Sequence, residues 1–170
     1  MTSRVLLLLA QGFGVGRIRC APGTFGSFLG LLWFLVLVWP QHFGVFAAGA
    51  LGGVLASAWL CGVAERTLKR IDPPSIVLDE IVSVPLCCAG WVVWFWMKTG
   101  EMPSPGFFLT GPSCWGVAGA FVAFRVFDIV KPWPVSALQR LPGGWGVTLD
   151  DVMAACYVNA AAAVLWLFAR

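Results

Sequence analysis

Five apolar stretches, separated by short polar connections, dominate the pattern of hydrophobic and polar positions in this sequence. Each stretch ends at a proline or at a charged residue, and their bounds are residues 28–39, 45–64, 81–97, 107–124 and 152–169. A helix that spans a bilayer needs roughly 17–25 apolar residues, so the first stretch is short for a span and the other four are long enough. The pattern predicts an all-α bundle of about five apolar helices.

Helix-breaking residues lie in two of these stretches. Pro85 is near the start of the third stretch, and Gly111 and Pro112 interrupt the fourth. Proline removes a backbone hydrogen bond from a helix, so we expect the fourth stretch to be weakened at Gly111 and Pro112.

A shorter apolar run follows Arg4 and ends at Ala10. It is shorter than the roughly 7–15 residues of a signal-peptide core. Gln11 and several glycines follow it in place of a cleavage site. We therefore expect a retained N-terminal helix that is either interfacial or half-buried.

The composition supports a membrane protein with a single domain over residues 1–170. Hydrophobic residues make up 59% of the chain and charged residues only 11%, which is more apolar surface than a soluble domain of this size could bury. The expected class is a polytopic helical membrane protein whose environment is the lipid bilayer. The net charge of +3, with no long run of Lys or Arg, argues against a nucleic-acid partner. The six cysteines form no CxxC pair and are interpreted as small buried side chains.

The basic residues divide unequally between the two ends of the predicted bundle. Nine lie at the end formed by residues 1–27, 65–80 and 125–151, and two lie at the other end. The nine are Arg4, Arg17, Arg19, Arg66, Lys69, Arg70, Arg125, Lys131 and Arg140, and the two are Lys98 and Arg170. Because basic residues concentrate on the cytoplasmic side of membrane proteins, the first end is predicted to face the cytoplasm.

Acidic residues are scarce, and five of the eight fall in three spots at the ends of apolar stretches. The five are Asp79, Glu80, Asp128, Asp150 and Asp151. Ionisable groups at the edge of a membrane segment are costly to desolvate and indicate function by default. Carboxylate oxygens from three spots on one face suggest a site for a hard divalent cation such as Mg²⁺. Neighbouring residues on a helix point about 100° apart, so one member of each adjacent pair is expected to bind metal and the other to orient a ligand or water.

The single histidine, His42, lies at the opposite end of the predicted bundle. A histidine phosphatase, a Ser-His-Asp triad and a histidine-rich zinc site are therefore disfavoured. The remaining chemistry is metal-activated water with carboxylate acid–base catalysis.

Candidate phosphate ligands accompany the acidic spots. Thr24 and Ser27 follow a Pro-Gly turn, where they either cap the next helix or bind an anion at its N-terminus. Arg125 and Asp128 share a helix face, and Pro132 is expected to end that helix near Lys131. Arg125 and Lys131 either form ion pairs with nearby acids or bind phosphate.

Polar residues close to the acidic pairs suggest where two further helices begin. Ser75 follows two prolines and suits a helix start, and Thr148 or Asp150 could cap the last helix.

Four segments in this order resemble the phosphatidylglycerophosphatase A family. They are Ala-Pro-Gly-Thr-Phe-Gly-Ser at 21–27, Ser-Ile-Val-Leu-Asp-Glu at 75–80, the Arg-to-Pro segment at 125–134 and the Gly-Gly-Trp-Gly to Asp-Asp segment at 143–151. One departure is Ser83, where the family usually has glycine. The resemblance implies a Mg²⁺-dependent enzyme of phosphatidylglycerol biosynthesis in the bacterial inner membrane, with its site facing the cytoplasm. This enzyme would hydrolyse phosphatidylglycerophosphate to phosphatidylglycerol and phosphate.

The resemblance and the charge pattern together predict the roles of the site residues. Asp79, Glu80, Asp128 and one or both of Asp150 and Asp151 would gather one or two Mg²⁺ ions and carry the catalysis. The phosphate would be held by Thr24, Ser27, Arg125 and Lys131. Two alternatives remain from the residues alone: a cation transporter lined by carboxylates, and a structural membrane subunit whose charges set only its topology.

Overall fold

The computed structural model describes residues 2–168. Ala169, the last residue of the fifth predicted stretch, lies outside the described residues. Arg170, one of the two basic residues predicted at the second end of the bundle, also lies outside them. The described part contains nine α-helices, one 3-10 helix at Gly12–Arg17 and no strand. The α-helices are α1 (Thr2–Ala10), α2 (Pro22–Val38), α3 (Phe43–Leu68), α4 (Leu78–Cys87), α5 (Ala89–Thr99), α6 (Pro105–Leu109), α7 (Gly111–Val130), α8 (Val135–Leu138) and α9 (Gly144–Phe168).

The predicted all-helical membrane architecture is confirmed. Four helical segments are long and apolar enough to cross a membrane, namely Phe43–Leu68, Leu78–Thr99, Gly111–Val130 and Gly144–Phe168. The fifth apolar helix is the shorter α2. The N-terminal run also forms a helix, and Leu6, Leu7 and Leu9 of α1 pack with the buried residues of α3.

The five apolar helices alternate in direction, so that one end of the bundle collects their functional residues. Helices α2, α4 and α9 begin at this end, and α3 and α7 finish there. Below it, a buried cluster that includes Val84, Phe124, Ala154 and Val158 closes the interior of the bundle. Polar side chains at this end are therefore separated from the opposite end by apolar packing.

The third predicted stretch is two helices rather than one. Helix α4 contains Pro85 and ends at Cys87, and α5 begins at Ala89. Asn159 of α9 satisfies the backbone at this break, because its Nδ2 donates to Leu86 O at 2.7 Å and its Oδ1 accepts from Gly90 N at 2.8 Å. A helix break within a membrane protein requires such a partner, since no water is present to replace the lost bonds.

The fourth predicted stretch, residues 107–124, is wrong in its bounds. Helix α6 stops at Leu109, Thr110 is extended and Gly111 has a φ of +60°, so the chain turns before α7 begins. Helix α7 then continues through Arg125 and Asp128 to Val130. The predicted end near Lys131, ahead of Pro132, is confirmed.

Helices α3 and α9 approach closely where small residues face each other. A Cβ added to Gly144 would lie 2.0 Å from Ala58 O and 2.4 Å from Gly62 N, so it would overlap the backbone of α3. One turn further along α9, Thr148 Oγ1 and Ser57 Oγ are hydrogen-bonded at 3.0 Å. This crossing fixes the first turns of α9 against α3.

The predicted capping of α9 is wrong. The helix begins at Gly144, so Thr148 and Asp150 both lie inside it. Thr148 bonds to Ser57 and Asp150 to Lys131 instead of capping the helix end.

Candidate active site

A polar pocket with a volume of about 230 Å³ lies at the end of the bundle where α2, α4, α7 and α9 meet. We call it the carboxylate pocket. It brings together all five predicted catalytic acids and both predicted cationic residues. The predicted site residues that line it are Asp79, Glu80, Arg125, Asp128, Lys131, Asp150 and Asp151. Thr24 and Ser27 are not part of the lining; Ala21, which precedes α2, and Pro22 and Gly23 of α2 line the pocket in their place.

The first turn of α4 carries Asp79 and Glu80, where the helix dipole favours negative charge. The start of this helix is held by Val77 N, which donates to Ala10 O at 3.1 Å. Ser75 does not cap it, contrary to the prediction, because the helix begins three residues later and Ser75 Oγ accepts from Gln11 Nε2.

Arg125 links three elements through one nitrogen atom. Its Nη1 lies 2.8 Å from Glu80 Oε1, 2.9 Å from Asp128 Oδ2 and 3.4 Å from Ser27 Oγ. The predicted contact between Arg125 and Asp128 at i, i+3 is confirmed. The buried Nε atom has no hydrogen-bond partner within residues 2–168. The guanidinium is therefore fixed in place with donor capacity left over.

The start of α9 carries the second acidic pair. Lys131 Nζ donates to Asp150 Oδ2 at 2.5 Å, and Asp150 Oδ1 accepts from Asp151 N at 3.0 Å. Burial alone would lower the pKa of Lys131, but its hydrogen bond to Asp150 and the surrounding carboxylates raise it above its ordinary value. Lys131 is therefore cationic at neutral pH.

The structure distinguishes the two members of each adjacent acidic pair. Glu80 is paired with Arg125, and Asp150 is paired with Lys131. Asp79 and Asp151 are both more than nine-tenths buried and form no ion pair in the described chain. Asp79 Oδ1 and Asp151 Oδ2 have no hydrogen-bond partner there, and neither does the second oxygen of Glu80, Oε2. Three carboxylate oxygens are thus buried without a donor.

The start of α2 is shaped by its contact with Glu80 rather than by a side-chain cap. The helix is capped by Ala21 in a left-handed conformation, with Pro22 as its first residue. The predicted capping by Thr24 or Ser27 is wrong, since both lie inside the helix. Ser27 Oγ donates to Gly23 O at 3.0 Å and accepts from Arg125, so it reaches the pocket only through the guanidinium.

Glycines let α2 approach α4 closely at the pocket. A Cβ added to Gly23 would overlap the Glu80 carboxylate, and one added to Gly26 would lie 2.5 Å from Glu80 Oε2. Gly30 continues the same face against Val84. The spacing i, i+3, i+7 of these glycines was the sequence signal for this close approach, and it was missed.

Replacing Gly23 with alanine is expected to lower activity by about tenfold or more, because the new methyl group displaces the Glu80 carboxylate from Arg125 and shifts a residue of the pocket. Catalytic activity of the purified variant measures the effect. Gly119→Ala is the matched control, since a Cβ there meets no atom within 4 Å. Equal activity in the two variants would show that the contact between α2 and Glu80 has no catalytic importance.

The pocket has the composition of a cation site. Six carboxylates line it against two cationic side chains; the sixth is Asp72, which the sequence did not single out. Buried charge without compensation is strongly destabilising, so the three oxygens without donors require protons or a cation. All donors are oxygens, which fits Mg²⁺. No three His, Cys, Asp or Glu side chains among residues 2–168 are already arranged to hold an ion together, so the residues fit Mg²⁺ by the chemistry of their donor atoms and not as a preformed shell.

Comparison with known proteins gives the same family name from a family model and from two individual relatives. The family model described as Phosphatidylglycerophosphatase A matches residues 8–166. The chain is 33% identical to "Phosphatidylglycerophosphatase A" of Haemophilus influenzae, over 88% of this chain and 82% of that protein. It is 30% identical to the Escherichia coli protein of the same name, over 86% of this chain and 75% of that protein. A Bacteroides thetaiotaomicron protein named "Putative phosphatidylinositol-3-phosphatase" is 32% identical, over 89% of this chain and 87% of that protein. No solved structure matches the chain.

Proposed function

This chain belongs to the phosphatidylglycerophosphatase A family, and we propose that it is a Mg²⁺-dependent phosphatase that converts phosphatidylglycerophosphate into phosphatidylglycerol and phosphate. Membership of this family supports a membrane-embedded lipid phosphomonoester hydrolase. The observation that carries the proposal is the carboxylate pocket, in which unpaired carboxylates and two cations meet at one end of an apolar bundle.

Arg125 and Lys131 are the residues that would bind the phosphate. Arg125 is held by Glu80 and Asp128 and still has an unpartnered Nε, so it can offer two parallel donors to phosphate oxygens. Lys131 adds a point charge from the end of α7. Both cations would offset the negative charge that grows on the phosphoryl oxygens during hydrolysis.

Asp79 and Asp151 are the first candidates to hold Mg²⁺, with Glu80 Oε2 and Asp128 beside them. A bound Mg²⁺ would polarise the phosphoryl group and increase the acidity of water. In the hydrolysis itself, the oxygen of water bonds to phosphorus while the ester bond to the lipid alcohol breaks. A carboxylate of the pocket accepts the proton from water, and the released alcohol oxygen takes up a proton.

The proposed location is the bacterial inner membrane, with several spans and the pocket facing the cytoplasm. The pocket lies at the end of the bundle with nine of the eleven Lys and Arg residues. Lys98 lies at the opposite end, in the last turn of α5. This asymmetry is the one expected for a cytoplasmic face.

The direct test is phosphate release from phosphatidylglycerophosphate by the purified protein in detergent micelles, with Mg²⁺ and with a chelator. We expect release only with Mg²⁺, and a lower kcat/KM for phosphatidylinositol 3-phosphate. Turnover that is unaffected by chelation would contradict the Mg²⁺ role, and a preference for the inositol lipid would contradict the substrate.

The distribution of the acids argues against a cation transporter. A transport path needs ionisable groups through the depth of the membrane. Seven of the eight acids belong to the segments at the pocket end, and Glu101 follows α5 at the other end. Ion flux in liposomes without phosphatase activity would favour the transporter.

A further inference from the structure

Two of the helices that form the carboxylate pocket, α2 and α7, pack little against each other in the described chain. Helix α2 contributes its first residues to the pocket, and α7 contributes its last turn. The pairs α2 and α4, α4 and α9, and α7 and α9 pack along extended surfaces. Helices α2 and α7 are not among the extensively packed pairs of the described chain. Their boundary is therefore a side on which the pocket adjoins the lipid-facing surface.

Helices α2 and α7 meet through a polar contact and an aromatic contact. Ser27 accepts a hydrogen bond from Arg125 at 3.4 Å, and the ring centroids of Phe28 and Phe121 lie 4.7 Å apart. Phe121 precedes Arg125 by one helical turn, so it lies about 6 Å further from the pocket along α7. The aromatic pair is thus one turn deeper in the bundle than the proposed phosphate ligand.

Apolar side chains continue from this pair along the outside of the bundle. Phe28 is 52% exposed and Leu32, one turn further along α2, is 59% exposed. Val122 of α7 is also exposed. We define the seam as the surface formed by Phe28, Leu32, Phe121 and Val122. It leads from Arg125 toward the middle of the membrane over about 11 Å, which corresponds to two helical turns.

We propose that the seam binds the diacylglycerol part of the lipid substrate while the phosphate occupies the carboxylate pocket. This inference rests on the proposed function, because the diacylglycerol part of a bilayer lipid must extend from the pocket toward the membrane while its phosphate stays in the pocket. The boundaries between α2 and α4, between α4 and α9 and between α7 and α9 are packed, and carboxylates line the pocket. The seam joins the polar pocket directly to an apolar surface of suitable length.

The seam makes the affinity for the lipid depend on residues that never contact the reacting phosphate. The double variant Phe28→Ala/Leu32→Ala is expected to raise KM for dioleoyl phosphatidylglycerophosphate about tenfold, which corresponds to about 1.4 kcal/mol. The rise in KM for the deacylated, water-soluble headgroup should be several-fold smaller. A change confined to KM indicates the loss of binding that the ground state and the transition state share, with kcat unchanged. Trp59→Ala on α3 is the matched control, since Trp59 is an equally exposed aromatic residue away from the seam.

The outcomes separate the seam from the enzyme function. If the parent protein hydrolyses the lipid and the double variant has the same KM, or if both substrates lose affinity equally, the seam proposal is overturned. If the parent protein hydrolyses neither substrate, the proposed function itself fails. A lipid analogue with a photoreactive group on its acyl chain gives a second measurement with the unmutated protein. Labelling of peptides from α2 and α7 supports the seam, and labelling confined to α3 or α5 overturns it.

Discussion

Replacing Asp151 with asparagine is expected to lower kcat by at least about 10²-fold, and Asp79→Asn should do the same. Both side chains are buried, and each has a carboxylate oxygen without a hydrogen-bond donor in the described chain. Asparagine preserves the size of the side chain but removes the charge that would hold Mg²⁺. We therefore also expect the Mg²⁺ concentration at half-maximal activity to rise in both variants.

Thermal unfolding without Mg²⁺ separates this role from a structural one. An unpaired buried charge destabilises a protein, so its removal should leave Asp79→Asn and Asp151→Asn at least as stable as the parent protein. Loss of activity without loss of stability is the expected combination. Glu101→Gln is the control, because Glu101 follows α5 at the opposite end of the bundle and does not line the carboxylate pocket. Near-normal turnover in purified Asp151→Asn would contradict the metal role of this residue.

Substitution of Glu80 or Asp150, the acids that form ion pairs with Arg125 and Lys131, should have a different effect. Asp150→Asn removes the partner of Lys131, so we expect mainly a higher KM as the ammonium group loses its position. This contrast could not be obtained from the sequence, which presents Asp150 and Asp151 as equivalent neighbours. It depends on how α9 is rotated against α4 and α7, and that rotation is fixed by the contacts of Gly144 and Thr148 with α3.

The sequence was sufficient for the parts of the fold that follow from membrane physics. Long apolar stretches without charges predict helices, and the placement of the acids predicted that all three acidic spots meet. Helix starts were less predictable. Ser75, Thr24 and Thr148 all have side chains suited to capping, but none of them caps a helix. Helix α4 begins after Ser75, whereas α2 begins before Thr24 and α9 begins before Thr148.

The close packing of the α2 glycines was also missed by the sequence interpretation. The Gly23 to Ser27 segment was interpreted through its hydroxyl groups, and the structure shows that its glycines are what bring α2 against Glu80. The hydroxyl of Ser27 has an indirect role, since it lies against Arg125 rather than at the pocket surface. The contact of Thr24 and Ser27 with phosphate remains a prediction.

Arg125→Lys is expected to lower kcat/KM by about 10²-fold, although the positive charge is retained. One guanidinium nitrogen contacts Glu80, Asp128 and Ser27, and this leaves the remaining nitrogens for phosphate. An ammonium group has one nitrogen, so it cannot keep these partners and bind phosphate with two parallel donors. Steady-state kinetics with phosphatidylglycerophosphate measures the loss.

A matched control and a second variant show whether geometry or charge is responsible. Arg140→Lys changes the same functional group at an exposed position outside the pocket, and its activity should remain normal. Arg125→Ala should also lower stability, because Glu80 and Asp128 then lose their shared cation inside a pocket that already has excess negative charge. If Arg125→Lys instead retains kcat/KM within about twofold of the parent, charge alone is sufficient and bidentate binding by Arg125 is wrong. The phosphate would then be held mainly by Mg²⁺ and Lys131, and Lys131→Ala would become the variant with the larger loss.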